Sequence, residues 1–159
     1  MRNRKAFLDM LAVSEGTNIS PAARNDGYDV IVARIDGVPE ILTDCSTHPF
    51  GRGRASKRIN NRGLESNASG HYQFMLKDWS YYRKLLNLPD FGPASQDSWA
   101  IQLIKEHNAL SLIDAGNFDL AVYRVGNLWA SLPGAGYGQL ENSLVALRQV
   151  YLQKGGEIF

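Results

Sequence analysis

A single stretch near the start sets the pattern of this chain: RKAFLDMLAVSEG, residues 4–16. Its apolar side chains recur at the spacing of an α-helix, and Gly16 is the kind of residue at which a helix ends. We therefore predict a helix over residues 4–15. Positions 8, 11, 12 and 15 share one face of that helix, so Glu15 continues an otherwise apolar stripe.

Glu15 is the acid with the most suggestive position. A carboxyl on an apolar face is drawn towards burial, and the end of a helix adds the negative end of the helix dipole. Both effects disfavour the carboxylate and raise its pKa. Cleavage of a glycosidic bond needs such a protonated acid, because the leaving oxygen must receive a proton. The alternative is an ordinary glutamate in a final helical turn, and spacing alone favours it.

The chain beyond this helix predicts one β-hairpin followed mostly by helices. Strand-like residues at 28–32 and 40–43 flank the turn signal Asp36-Gly37. The resulting order is an α+β pattern, mostly helical with a small β-hairpin near residues 28–44, and a cleft between hairpin and helices is the natural substrate site. Residues 46–70 lack periodicity and predict a long mobile loop. Helices are predicted over residues 71–86, 95–107, 109–114, 117–129 and 141–153, with a loop at 133–138.

Composition limits the class of protein. With 159 residues, 44% of them hydrophobic, the chain predicts a single globular domain over residues 1–159. A net charge of +1 argues against a nucleic-acid binder, although arginines crowd residues 50–63 and could attract an anionic cell-wall polymer. The lone Cys45 excludes an intrachain disulfide. No signal peptide or membrane-spanning run is apparent, so we expect synthesis in the cytoplasm and no stable membrane insertion.

Two further segments are candidates for ligand contact. Residues 69–73, SGHYQ, predict a loop entering a helix, where free backbone N–H groups can meet a ligand. Residues 129–139 combine glycines with Tyr137, whose ring could stack on a sugar. The alternatives are an N-capped amphipathic helix and a plain connector. We expect no metal or cofactor, because Cys45 and the histidines lack a four-ligand spacing, and Cys45 itself predicts a small hydrophobe at a strand end.

Six blocks of the sequence resemble, in the same order, the lambda-type phage endolysin family. They are RKAFLDMLAVSEGT (4–17), RNDGYDVIV (24–32), TDCSTHP (43–49), GHYQ (70–73), SQD (95–97) and WASLPGAGYGQ (129–139). The similarity covers about residues 4–140. It departs in a longer hairpin at residues 34–39, a longer loop at 50–69 and a divergent end after Leu140.

The resemblance implies a lysozyme-like α+β fold and a lytic transglycosylase. Such an enzyme cleaves the β-1,4 bond between N-acetylmuramic acid and N-acetylglucosamine in peptidoglycan and leaves a 1,6-anhydro sugar. The family's catalytic glutamate falls on Glu15. We expect the substrate-binding residues to be His48, Ser69, Gly70, Tyr72, Gln73, Gly136, Tyr137 and Gln139.

Rival functions remain at this point. The nearest is a peptidoglycan hydrolase of muramidase type, in which Asp29 or Asp44 positions a water. Another is a non-catalytic glycan-binding module that keeps only the fold. As an endolysin, the chain is expected to be a monomer that stays in the host cytoplasm until a separate holin-like permeabiliser opens the membrane, and then acts in the periplasm on the cell wall.

Overall fold

The computed structural model describes all residues from Met1 to Phe159. The helices are α1 (Arg2–Glu15), α2 (Leu76–Leu85), α3 (Pro93–Glu106), α4 (Leu110–Asp114), α5 (Phe118–Val125) and α6 (Leu144–Gln153). The strands are β1 (Val30–Ile31), β2 (Glu40–Ile41), β3 (Lys57–Arg58) and β4 (Glu65–Ser66), and a single 3₁₀ turn spans Thr17–Ile19. None of the helices is both long enough and apolar enough to cross a membrane.

The chain folds into two compact units, and α3 continues from one into the other. The first, here called the helical unit, comprises Met1–Glu15 and Ala100–Phe159. Within it α1 packs on α4 and α6, and α5 packs on the same two helices. Phe7 of α1 makes edge-on contacts with Phe118 and Tyr151 at ring-centroid distances of 6.1 and 6.4 Å. Burying each ring stabilises the unit by roughly 2–3 kcal/mol, because its apolar surface leaves water.

The second unit, here called the hairpin unit, spans Gly16–Trp99 and contains two antiparallel hairpins. In the first, Val30 pairs with Ile41 and Ile31 with Glu40, which confirms the predicted hairpin with shorter strands. Its aromatic core is centred on Trp99, which stacks on Phe74 at 4.0 Å between ring centroids. The fold is thus mostly helical with small antiparallel hairpins, as predicted.

The prediction of a long mobile loop over residues 46–70 missed a second hairpin. Lys57 pairs with Ser66 and Arg58 with Glu65, so β3 and β4 form a second hairpin. A two-residue strand is too short to show alternation, which is why periodicity missed it. The turn between the strands is held by the Asn60 carboxamide oxygen, which accepts the backbone N–H groups of Arg62 and Leu64.

Three helix boundaries differ from the predictions by three or more residues. The helix expected from residue 71 begins at Leu76, because residues 69–74 form a tight turn instead. The α5 helix ends at Val125 rather than at Trp129. The α6 helix begins after Ser143, whose hydroxyl accepts the backbone N–H of Ala146 as an N-cap.

Candidate active site

Glu15 is the last residue of α1, and its side chain is half-buried. The chain leaves the helix through Gly16, whose φ of 72° lies in the left-handed region that glycine adopts without strain. Burial raises the pKa of the Glu15 carboxyl, and hydrogen bonds from the side chain and backbone of Ser131 oppose that rise. Burial therefore favours the protonated acid, whereas the hydrogen bonds from Ser131 stabilise the carboxylate.

Ser131 begins a set of polar contacts that extends away from Glu15. Its hydroxyl donates to Glu15 Oε1 at 2.5 Å and lies 2.7 Å from the hydroxyl of Ser14. The Asn142 side-chain amide donates to Ser14 Oγ at 3.1 Å and also reaches the backbone carbonyls of Ser14 and Ser131, each at 3.3 Å. The sequence analysis included Ser131 only as part of the candidate segment 129–139, did not identify Asn142, and linked neither residue to Glu15, since both lie far along the chain from it.

The segment between Ser131 and Asn142 forms a closed loop. Its two ends meet where the Asn142 backbone N–H donates to the Ser131 carbonyl at 2.8 Å. Inside the loop, the two carboxylate oxygens of Glu141 accept the N–H groups of Gly134 and Gly136 at 2.8 and 2.9 Å. These hydrogen bonds lower the pKa of Glu141. The loop predicted at residues 133–138 is confirmed, and Glu141 supplies the anchor that the sequence did not reveal.

Tyr137 lies on this loop and is 59% exposed. Its hydroxyl donates to the carbonyl of Asn127 at 2.8 Å, so the outer edge of the ring is tied down while its face stays accessible. Gly136 and Gln139 beside it are exposed as well. An aromatic face presented in this way suits stacking on a sugar ring.

In the hairpin unit, the segment Ser69–Phe74 forms a tight turn. Ser69 and Phe74 exchange two backbone hydrogen bonds, of 3.0 and 2.8 Å, and Gly70 and Gln73 both have positive φ. The expectation that this segment offers a helix N-terminus was therefore wrong. The side-chain amide of Gln73 donates to the Gly70 carbonyl at 2.9 Å and helps to close the turn.

Gln96 and Asp97, at the start of α3, hold this turn in place through hydrogen bonds. The carboxamide oxygen of Gln96 accepts the His71 N–H at 2.8 Å, and its nitrogen donates to the Tyr28 carbonyl at 2.9 Å. One carboxylate oxygen of Asp97 accepts the hydroxyls of Tyr28 and Tyr72 at 2.7 and 2.6 Å. These two residues are positioning groups that local spacing could not reveal.

Known endolysins match this chain in sequence over nearly its whole length. The sequence model of the endolysin family matches residues 5–158. The chain belongs to the endolysin family. It is 57% identical over 155 residues to the endolysin of Escherichia phage P2, covering 98% of this chain and 94% of that protein. With the endolysin of Escherichia phage lambda it shares 48% identity over 156 residues, covering 98% and 92%.

Solved structures agree with this assignment. The lysozyme of bacteriophage lambda in complex with a chitohexasaccharide superposes with a TM-score of 0.90 at 47% identity, covering 100% of this chain and 97% of that one. A second structure of the lambda lysozyme gives a TM-score of 0.85 at 46% identity, with the same coverage. This chain is accordingly an endolysin with the lambda lysozyme fold, an enzyme that degrades peptidoglycan.

Several residues expected to bind substrate in this endolysin are buried instead. Tyr72 is 1% exposed, and Ser69 and His48 are fully enclosed. His48 Nε2 lies 3.0 Å from the Phe74 carbonyl, and the Ser69 hydroxyl donates to the Asn67 carbonyl at 3.1 Å. These side chains present no surface to a sugar in this conformation, which disagrees with the prediction of direct contact. Gln73, Gly136, Tyr137 and Gln139 keep accessible atoms.

The two aspartates considered as water-positioning groups already have partners in this endolysin. The Asp29 carboxylate is buried and accepts the backbone N–H groups of Arg24 and Asn25 at 3.0 and 3.4 Å. Asp44 is exposed, accepts the Ser46 N–H at 2.9 Å and pairs with Arg52 at 3.1 Å, contacts that lower its pKa. Cys45 is exposed and lies beyond the end of β2, so the prediction of a small hydrophobe at a strand end was wrong.

Proposed function

We propose that this endolysin is a lytic transglycosylase that cleaves the β-1,4 bond between N-acetylmuramic acid and N-acetylglucosamine and leaves a 1,6-anhydro-muramoyl product. The observation that carries the proposal is the state of Glu15: a half-buried carboxyl with a raised pKa at the end of α1, held by Ser131. The engagement of Asp29 and Asp44 with other groups supports a mechanism that needs no second catalytic carboxylate.

The reaction uses one carboxyl twice. Glu15 gives its proton to the glycosidic oxygen as the bond from that oxygen to the muramoyl C1 breaks, and the substrate's own N-acetyl group assists the oxocarbenium-like centre. The Glu15 carboxylate then takes the proton of the C6 hydroxyl, and the oxygen of that hydroxyl forms a bond to C1. The ring closes, no water is consumed, and Glu15 returns to its protonated form.

Substrate contacts are assigned to the accessible residues. Tyr137 would stack on a sugar ring, with Gly136 and Gln139 beside it, and Gln73 would offer its carboxamide from the turn in the hairpin unit. We give Ser69, Gly70, Tyr72 and His48 a supporting role, because their side chains or backbone shape that unit from within. The lambda lysozyme's complex with a chitohexasaccharide supports a glycan strand as the ligand class.

Replacement of Glu15 tests the proposal at its centre. Glu15→Gln keeps the shape of the side chain and removes the proton, so we expect turnover of purified peptidoglycan to fall by roughly 10²–10⁴-fold. Asp29→Asn and Asp44→Asn are the matched controls and should leave the products unchanged wherever the protein folds. Loss of activity in a folded Asp44→Asn variant, with full activity in Glu15→Gln, would replace this mechanism by a hydrolytic one.

The route to the cell wall belongs to the same proposal. A separate holin-like permeabiliser would release the enzyme from the host cytoplasm to the periplasm. Expression of the endolysin alone should then leave cells intact until the membrane is breached from outside. Spontaneous lysis of intact cells would count against a separate partner.

A further inference from the structure

The Glu15 carboxyl lies at one end of a row of three polar side chains in the helical unit. Ser131 contacts Glu15, Ser14 contacts Ser131, and Asn142 contacts Ser14, with distances of 2.5, 2.7 and 3.1 Å between the bonded atoms. Ser14, Ser131 and Asn142 are all half-buried. Such a row costs side-chain entropy to order.

The direction of the hydrogen bonds follows from the chemistry of Asn142. Its amide nitrogen can only donate, so Ser14 Oγ is an acceptor at that end. The Ser14 hydroxyl hydrogen then points to Ser131 Oγ, and the Ser131 hydroxyl hydrogen points to Glu15 Oε1. All three donors are therefore aligned towards the carboxyl, and hydrogen bonds aligned in this way strengthen one another.

We propose that Ser131, Ser14 and Asn142 are positioning residues for Glu15: their chain of hydrogen bonds ends on Oε1 and fixes the orientation of the carboxyl that exchanges a proton with the substrate. The inference rests on the proposed function, in which Glu15 is both acid and base. Only Ser131 touches Glu15, and Ser14 and Asn142 act through it.

This chain of hydrogen bonds matters because the two steps of the proposed reaction require opposite protonation states of Glu15. Protonating the glycosidic oxygen needs the neutral acid, which burial favours. Accepting the C6 proton needs the carboxylate, and a hydroxyl donating to Oε1 stabilises that form. Burial and the two hydrogen bonds from Ser131 are the influences on the Glu15 pKa, and none of them comes from a charged side chain. The uncharged row of hydrogen bonds thus opposes the effect of burial on the Glu15 pKa, and a lysine or arginine in its place would lower that pKa too far.

The far end of the chain is itself anchored. Asn142 is held by its backbone N–H on the Ser131 carbonyl, and its neighbour Glu141 binds the N–H groups of Gly134 and Gly136. The loop that carries Tyr137 is anchored by Glu141, and the row of hydrogen bonds that reaches Glu15 begins at the adjacent Asn142. The same two residues therefore support both the ring proposed to stack on the sugar and the carboxyl proposed to transfer the proton.

The test reads the Glu15 carboxyl directly. The δ-carbon of Glu15 is titrated by carbon NMR in protein labelled at glutamate, with the Glu15→Gln variant giving the assignment. Ser131→Ala should move the midpoint upward by about one pH unit, since a hydrogen bond to the charged form is lost. Ser14→Ala, which does not touch Glu15, should move it in the same direction by about half as much. Ser14→Thr retains the hydroxyl and should titrate like the wild type.

Kinetics supply the second readout. Because Glu15 acts first as an acid, the high-pH limb of the kcat/KM profile reports its loss of the proton and should move upward in Ser131→Ala and Ser14→Ala. In both variants kcat should fall while KM changes little, since neither hydroxyl is assigned to the sugar. Ser143→Ala is the control: it removes the N-cap of α6 next to Asn142 and should lower stability without moving either titration.

Two outcomes overturn the inference. One is a folded Ser14→Ala variant that titrates like the wild type while Ser131→Ala shifts, since the chain would then end at Ser131. The other is an equal shift in Ser143→Ala, which would show a general effect of loosening. Failure of the proposed function looks different, because Glu15→Gln would then remain active whatever the titrations show.

Discussion

At the scale of single residues, Glu15 is governed by two opposing influences. Burial at the end of α1 raises its pKa, and the donors of Ser131 lower it again. Either alone would serve only half of the proposed reaction, in which the same carboxyl gives and then takes a proton. Burial thus favours the protonated acid, and the hydrogen bonds from Ser131 favour the carboxylate.

Tyr137 provides a test of sugar stacking. Tyr137→Ala removes the exposed ring, and we expect KM for glycan strands to rise about five- to tenfold with a smaller change in kcat. Tyr137→Phe loses only the hydrogen bond to the Asn127 carbonyl and should raise KM by about twofold. Steady-state kinetics on soluble glycan fragments measure both. Equal effects of the two substitutions would argue against a role for the ring face.

Gly70 provides a test of the turn beneath Gln73. A Cβ atom at this position would lie 2.2 Å from the buried Gln96 carboxamide oxygen, and φ is +81°. We expect Gly70→Ala to lower the free energy of unfolding by roughly 2–4 kcal/mol, from backbone strain and overpacking together. Gly53→Ala is the control, because its φ is +82° but nothing lies within 4 Å of the added atom. Its loss should be about 1–2 kcal/mol in denaturant melts.

These residues also show how far sequence reasoning reached. The position of Glu15 followed from an apolar stripe and a glycine, both local features that the structure confirms. Ser131 lies 116 positions further along the chain, and no spacing rule connects a helix end with a distant loop. Tyr72 matched a family motif, but its burial under Asp97 depends on α3, which the motif does not include.

At the scale of elements, the second hairpin is joined to the first by charged side chains. Lys57 of β3 is 5% exposed at its side chain, donates to the Val32 carbonyl at 3.0 Å and pairs with Glu40 of β2. Arg54 reaches the same carboxylate at 2.6 Å. A buried ammonium without a partner is costly, so Glu40 is needed to keep Lys57 in place. Periodicity could not predict this hairpin, because its strands are two residues long and its ion pairs join residues that are distant in sequence.

This ion pair predicts a dependence of stability on acid. Contacts with Arg54 and Lys57 lower the pKa of Glu40 from 4.5 to about 2. A lowered pKa in the folded state gives stability that is complete above about pH 4.5 and is lost as the pH falls towards 2. Glu40→Gln should therefore be less stable at neutral pH and lose less stability than the wild type across that range.

Chemical denaturation at several pH values measures this difference. Glu65→Gln is the matched control, since Glu65 lies exposed on β4 and forms no ion pair, and its stability should follow the wild type. If the Glu40→Gln and wild-type curves stay parallel below pH 4.5, the ion pair does not carry the acid sensitivity.

At the scale of the whole molecule, the order of elements was predictable and their exact extents were not. A long helix, an early hairpin and a helical remainder follow from local patterns, and they match the lambda lysozyme fold. Short strands, the turn at residues 69–74 and the anchored loop at 131–142 depend on contacts between residues distant in sequence. The single domain over residues 1–159 stays a prediction, since the chain divides into a helical and a hairpin unit.

In the proposed mechanism, Glu15 alone gives and takes the proton, so that water does not enter the product. Digestion of peptidoglycan in water labelled with a heavy oxygen isotope, followed by mass spectrometry of the fragments, tests it most directly. The transglycosylase mechanism predicts muramoyl ends that lack one water relative to hydrolysed ends and carry no heavy oxygen. Reducing muramoyl ends that contain the heavy isotope would contradict it and identify this endolysin as a hydrolase.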